Sequence, residues 1–241
     1  MRLILVTGQK GGVGKTTFTH ILTNYLTQAK VRWRGLDTDQ ENKGFADIYP
    51  DQVNGITLYT SEGRLVDETI NSVVDEIANA MESGDIDVFV CDMGAGQLNA
   101  FMGALRETGL ISEVGGQLRM TCAYVIVGTI EILSTLMGNH TLFDDVPAIQ
   151  WMVVKNEKEG SLSAYDESRE LRPAMLSRRA VEVEMPAIAD KTVLPGWSRS
   201  GLTLAAFLEP SNKMPFSARG RLSAWLKAMH SELDRVSEVL R

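Results

Sequence analysis

Ten consecutive residues, Gly8-Gln9-Lys10-Gly11-Gly12-Val13-Gly14-Lys15-Thr16-Thr17, carry types and spacing that suit one chemistry, the holding of phosphate. Glycines let backbone N–H groups turn inward toward phosphate oxygens. The N-terminus of a following helix adds roughly half a positive charge. Lys15 is placed to reach β- and γ-phosphates, and Thr16 to offer its hydroxyl to Mg²⁺. The flanks agree: the apolar run Leu3–Thr7 precedes the loop, and Phe18, Ile21, Leu22, Tyr25 and Leu26 follow at helical spacing. The strict G-x-x-x-x-G-K-T pattern asks for glycine at position 9. This chain has Gln9 there, with Gly8 one residue early, but Gly12-Val13-Gly14-Lys15-Thr16 still fits.

The segment Gln9 to Thr17 resembles the deviant Walker A motif of the ParA/MinD ATPases, whose signature is the early lysine, here Lys10. The resemblance extends to Asp37-Thr38-Asp39 after Leu36, although Gln40 stands where proline usually follows. It also takes in Asp92 after Val88–Cys91, the Walker B carboxylate, and Asn156 after Trp151–Val154, an adenine contact. Asp37-Thr38-Asp39-x-x-Asn42-x-x-Phe45 together with Asp92-x-Gly94-Ala95 is similar to the plasmid-borne TraL- and StbB-like members.

The resemblance implies a P-loop NTPase fold that uses ATP and Mg²⁺. Gly11, Gly12, Val13, Gly14, Lys15, Thr16, Thr17 and Asn156 would bind nucleotide. Thr16, Asp37 and Asp92 would serve the metal, the carboxylates mainly through metal-bound water. Lys15 would neutralise phosphate, and Asp39 would orient the attacking water. Lys10 would reach a partner subunit's phosphates in an ATP-dependent homodimer. Gly94 and Gly96 would let a switch loop donate backbone N–H to the γ-phosphate. Asn156-Glu157-Lys158-Glu159 lacks the Asn-Lys-x-Asp order that reads guanine, which favours ATP.

The expected function is a slowly hydrolysing molecular switch of the partition or positioning type. Its setting would be plasmid maintenance or conjugative transfer, with a protein partner or cargo adaptor. One alternative is a metabolic enzyme of the dethiobiotin synthetase kind, with Lys43 and Arg119 as the hints of a substrate pocket. The other is a metallochaperone-type ATPase. Cys91 and Cys122 lie too far apart for a paired site, although Cys122 would suffice if it paired across a two-fold axis.

These residues must be held by alternating short strands and amphipathic helices. Strands are expected at Leu3–Thr7, Val31–Leu36, Ile56–Tyr59, Val88–Cys91, Tyr124–Val127, Trp151–Val154 and Val181–Met185. Helices are expected from Lys15, over Val66–Met81 with Gly84 closing it, over Ile130–Leu142, and after Gly160 with an interruption at Pro173. Leu194–Gly201 reads as a loop. A final helix over 217–241 carries the stripe Leu222, Trp225, Leu226, Met229, Leu233, Val236 and Leu240 and is expected to pack on the rest. The whole, 1–241, reads as a single P-loop ATPase domain, α/β, with a doubly wound, mostly parallel sheet and helices on both faces.

Composition narrows the classes further. The 241 residues are 44% hydrophobic, which excludes a disordered chain. The net charge of −7 should repel nucleic acid at long range, so nonspecific DNA binding stays open without support from charge. Arg169, Arg172, Arg178 and Arg179 are the best basic patch, read as a solvated helix face. No run reaches the ~18 apolar residues of a membrane span. Met1–Val6 is too short for a signal-peptide core, so a cytoplasmic protein is expected. His20, His140 and His230 form no cluster with metal-ligand spacing.

Overall fold

Continuous apolar runs become the central strands, because a strand covered on both faces has no solvated side. The computed structural model describes residues 1–39, 44–60, 62, 64–113, 116–129, 134–136, 138–139 and 149–241. In chain order the first half is β1 (Arg2–Thr7), α1 (Lys15–Gln28), β2 (Trp33–Asp37), α2 (Gly44–Ile48), β3 (Val53–Gly55), α3 (Asp67–Ser83), β4 (Val88–Asp92), α4 (Leu98–Glu107) and α5 (Leu110–Glu113). Then come β5 (Arg119–Ile126), β6 (Ile149–Asn156), α6 (Ser163–Asp166), α7 (Leu171–Ser177), β7 (Val181–Met185), α8 (Val193–Ser198), α9 (Leu204–Leu208) and α10 (Phe216–Arg235). The seven strands form one sheet in the order β3-β2-β4-β1-β5-β6-β7, and every ladder is parallel. β1 and β4, at its centre, are buried at every position.

From β1 the chain moves to β2 and β3 on one side, then back across to β4 and β5. Right-handed crossovers therefore place helices on opposite faces before and after the reversal. The contacts agree: α1 packs with α2, α9 and α10, whereas α3 packs with α4. The stripe Leu222, Trp225, Leu226, Met229 and Leu233 of α10 is buried, at roughly 1.5–3 kcal/mol per side chain. Polar ties finish this dock: Tyr25 Oη donates to Asp234 Oδ1 at 2.8 Å, and Arg241 donates to Tyr25 Oη at 2.6 Å. At the amino edge of the sheet the buried Arg2 guanidinium donates to Thr121 Oγ1 and to the carbonyls of Glu238 and Arg241.

Several sequence expectations shift. β2 begins at Trp33, because the Val31 amide is spent on the Leu26 carbonyl at the end of α1. Ile56–Tyr59 is not a strand. The pairing lies just before it in β3, and Tyr59 joins Leu65 through an isolated antiparallel bridge outside the sheet. Pro173 does not interrupt its helix. It is the third residue of α7, where its missing N–H is needed least, and the break falls before Leu171. Leu194–Gly201 is largely helix α8, with Pro195 tolerated in the first turn for the same reason. The last α-helix ends at Arg235, with a 3-10 turn over Ser237–Val239, rather than running to 241. Of Ile130–Leu142, residues 134–136 and 138–139 are helical, and the rest lies outside the described residues. So do Gln40, Asn42, Lys43 and His140. The sequence reading misses α2, α4, α5 and α9, although Leu98, Phe101, Met102 and Leu105 have helical spacing and are buried.

Candidate functional site

Because every strand runs the same way, the strand ends that carry chemistry share one edge. Asp37 and Asp92 are direct neighbours in the β2–β4 ladder, Val6 pairs with Asp92, and Asn156 pairs with Met185. This is the carboxyl edge, beside the point where the strand order reverses, where open α/β sheets bind ligands.

The loop from β1 to α1 closes on Gly14, whose φ of 100° suits glycine. A Cβ there would also strike the Asn156 amide. Gly14 gives α1 no side-chain cap, and no acidic residue occupies the first turn, so the helix start is left for an anion. Lys15 is buried, and its Nζ donates to the Lys10 carbonyl at 3.2 Å. Burial lowers its pKa, opposed by Asp92 and Asp39. Thr16 and Thr17 are half-buried, while Lys10, Gly11 and Gly12 are exposed on the outer lip. Val13 is buried beneath the loop.

Asp92 accepts from Thr19 Oγ1 at 3.0 Å with Oδ1, but its Oδ2 is buried without a hydrogen-bond partner. Burial pushes this carboxyl up to about 7. Nearby Asp37 adds to the rise, while the Thr16 and Thr19 hydroxyls and Lys15 oppose it. An orphaned acceptor beside Thr16 fits a Mg²⁺ ion and its water shell. Among the described residues no group of three or more His, Cys, Asp or Glu side chains forms a metal cage, so such an ion would lean on Thr16, phosphate and water.

Asp37 is turned toward backbone. Its Oδ1 accepts the Asp39 N–H at 3.1 Å, and its Oδ2 accepts those of Phe45 and Ala46 at 3.1 and 3.0 Å. It therefore organises its own turn and the start of α2. Burial raises its pKa against these bonds. Asp39, half-buried, lines the cavity with Lys15 and Thr16. Asn156 braces the loop: its Nδ2 donates to the Val13 carbonyl at 2.8 Å, and its Oδ1 accepts from the Lys158 N–H at 3.1 Å. Lys158 Nζ reaches the Gly12 carbonyl.

Two features escape the sequence reading. The first is the far wall of the cavity, which holds about 520 Å³ and suits a nucleotide-sized ligand. His20, Met185, Pro186, Ile188, Trp197 and Trp225 form it. Trp225 Nε1 donates to the Pro186 carbonyl at 2.7 Å. The His20 ring stacks on Tyr49 and meets Trp197 edge-on at 4.9 Å, and burial drives its pKa down to about 3. The second is Gln97, five residues past Asp92, whose side-chain amide joins Thr38 to Gly94.

Arg119 begins β5 at the opposite edge of the sheet, away from the phosphate loop, so it supports no substrate pocket there. Cys122 lies buried within β5 and Cys91 within β4, which removes the paired-cysteine arrangement across a two-fold axis. Arg172 is spent on Glu182 in a bidentate pair at 2.9 and 3.0 Å. Among the described residues no helix is long and apolar enough to cross a membrane.

Residues 4–146 match the sequence profile described as the CobQ/CobB/MinD/ParA nucleotide binding domain. No curated protein sequence matches the chain. Among solved structures, the MinD cell division protein of Aquifex aeolicus is similar in fold, with a TM-score of 0.55 at 17% identity over 93% of this chain and 98% of that one. A chain of the MinC:MinD cell division protein complex of the same organism gives 0.56 at 16% identity, over 93% and 96%. The septum site-determining protein MinD complexed with Mg-ADP from Pyrococcus horikoshii gives 0.56 at 15% identity, over 100% and 99%.

Proposed function

Since the chain belongs to the CobQ/CobB/MinD/ParA nucleotide-binding family, whose profile matches more than half of it, we propose that it is an ATP-binding, slowly hydrolysing molecular switch. The carrying observation is the pair of lysines on one loop, Lys15 turned in against Asp92 and Asp39 and Lys10 exposed on the lip. The loop backbone, the start of α1 and Lys15 hold the β- and γ-phosphates. Thr16 would hold Mg²⁺, with Asp92 behind it through water, while Asp37, spent on three backbone N–H groups, would hold the turn that carries Asp39. When bound, the ion supplies positive charge against the phosphates. Asp39, on the cavity wall, orients the attacking water. Asn156 and Lys158 fix the loop from the β6 side.

Lys10 acts in trans, on the phosphates of a second copy. At ~4 Å and an effective dielectric of ~20, such a pair is worth on the order of 4 kcal/mol before desolvation, enough to make the dimer depend on ATP. The switch recruits a protein partner or cargo adaptor from the cytoplasm, in plasmid maintenance or conjugative transfer. The solved complex of MinD with MinC offers a precedent for such a partner.

Light scattering after size exclusion tests this on Asp39→Ala, which should bind ATP without turning it over. With ATP it should be a dimer, and with ADP or no nucleotide a monomer. Adding Lys10→Ala should leave ATP binding and abolish the dimer. Equal dimerisation of the two proteins, or none in either, would overturn the switch and favour a monomeric enzyme.

A further inference from the structure

The turn that carries Asp39 and the loop that follows Asp92 are joined by one compact hydrogen-bond knot. The Thr38 N–H donates to the Asp92 carbonyl at 2.9 Å, which extends the β2–β4 ladder by one bond. Thr38 Oγ1 then lies 2.5 Å from Gln97 Oε1 and accepts the Gly94 N–H at 3.1 Å. Gln97 Oε1 also accepts that N–H, at 3.2 Å, while Gln97 Nε2 donates to the Thr38 carbonyl at 3.2 Å. These contacts agree on one orientation of the amide. Reversed, it would set its NH₂ against the Gly94 N–H and its oxygen against the Thr38 carbonyl. Thr38 is buried, and the Gln97 amide packs so closely over Gly94 that a Cβ there would sit 2.6 Å from Nε2. Position 94 therefore has to be glycine while Gln97 is folded over it.

The knot fixes two segments that both border the phosphate loop. One runs from Thr38 straight into Asp39, which lines the cavity beside Lys15. The other runs from Asp92 through Gly94 to Gly96, where a Cβ would lie 3.7 Å from the side chain of Gln9. Gln97 makes its side-chain hydrogen bonds to Thr38 and Gly94, and the Gly94 N–H that the sequence offered to the γ-phosphate is already engaged within this knot, so the influence of Gln97 on chemistry passes through these two segments.

We propose that Gln97 is a positioning residue for hydrolysis: by locking Thr38 to Gly94 it sets the Asp39 carboxylate at the place where the attacking water must lie. This rests on the ATPase reading above. A carboxylate shifted by about 1 Å loses on the order of 100-fold in rate without losing ligand affinity. The knot is thus expected to govern kcat and leave nucleotide binding alone.

The test uses the full chain and the variants Gln97→Ala, Thr38→Val, Thr38→Ser and the double Gln97→Ala/Thr38→Val. Three quantities are read: ATP turnover, affinity for a non-hydrolysable ATP analogue, and hydrogen exchange at the Gly94 amide without nucleotide. Gln97→Ala and Thr38→Val should each lower kcat by roughly 10–100-fold, with affinity held within about threefold. Each should also speed Gly94 exchange. Thr38→Ser, which keeps the hydroxyl, should stay near wild type, and the double variant should be no slower than the worse single one. A merely structural pair would lower affinity together with kcat, or give losses that multiply, and either result overturns the proposal. So does unchanged turnover in the single variants beside an active wild type. A wild type that neither binds nor hydrolyses ATP would instead defeat the ATPase reading, and this inference with it.

Discussion

On one side of the cavity stand Gly12, Gly14, Lys15, Thr16 and Asp39, and on the other His20, Met185, Pro186, Trp197 and Trp225. The first side is a strand end, a loop and a helix start laid down almost consecutively, with one more strand end two places along the sheet. Its polar atoms meet backbone, and Asp92 Oδ2, an acceptor without a partner, is buried behind it. The second side comes from α1, the end of β7, α8 and α10, elements far apart in sequence that meet only in the folded chain. It is rich in aromatic rings, and its two tryptophan indole N–H groups are already satisfied within the protein, while the buried His20 Nδ1 has no hydrogen-bond partner. The contrast separates two tasks. The loop side keeps interactions in reserve for a ligand, and the aromatic side spends its interactions on the fold.

That division can be broken experimentally. Trp225→Ala removes a buried ring and the hydrogen bond to Pro186, and should cost about 3–5 kcal/mol of stability. Chemical denaturation reads it, and a loss below about 1 kcal/mol would show that the aromatic wall is not structural. Lys15→Ala should do the reverse. A fluorescent ATP analogue should bind at least about 100-fold more weakly, about 2.7 kcal/mol, while stability stays within about 1 kcal/mol. Binding within a few-fold of wild type would refute the phosphate-loop assignment.

A third test sharpens the comparison through pH. His20 is held neutral, its pKa driven by burial from the ordinary 6.5 to about 3. Between those values the unfolded chain binds the extra proton, so stability is full above pH 6.5 and falls as the pH drops through the window, at up to about 1.4 kcal/mol per pH unit. His20→Phe should flatten that slope relative to wild type. Asp92, raised to about 7, contributes with the opposite sign in both proteins and cancels in the difference. Parallel slopes would mean that His20 is protonated or solvated in the folded state.

The same contrast explains what could be read from sequence. Gly8 to Thr17, Asp37 to Asp39 and Asp92 are legible because each is a short motif after an apolar strand, and parallel strands bring their ends to one edge without further information. Asn156 is placed at that edge too. What sequence does not reveal is that its amide would be engaged by the Val13 carbonyl, because that contact depends on how β6 stands against the loop. Gln97 is legible only as a polar residue past Gly94-Ala95-Gly96, since its partner Thr38 lies on another strand. His20 reads as one polar residue in an apolar helix stripe, and nothing local says that Phe45, Tyr49 and Trp197 will enclose it. The misplaced breaks at Pro173 and Pro195 have a simpler cause. Proline opposes a helix interior, yet suits a first turn, and composition alone does not say which turn is first.

The span between Lys15 and Trp225 has a consequence for the chain as it is made. A ribosome adding ~5–20 residues per second needs on the order of 10–40 s to pass from one to the other. Throughout that interval the phosphate loop exists without its opposite wall, and the apolar face of α1 that α10 will cover has nothing against it. Nucleotide is therefore a reporter of completion: it should hold the finished protein well, and hold poorly any nascent chain stalled before α10 emerges.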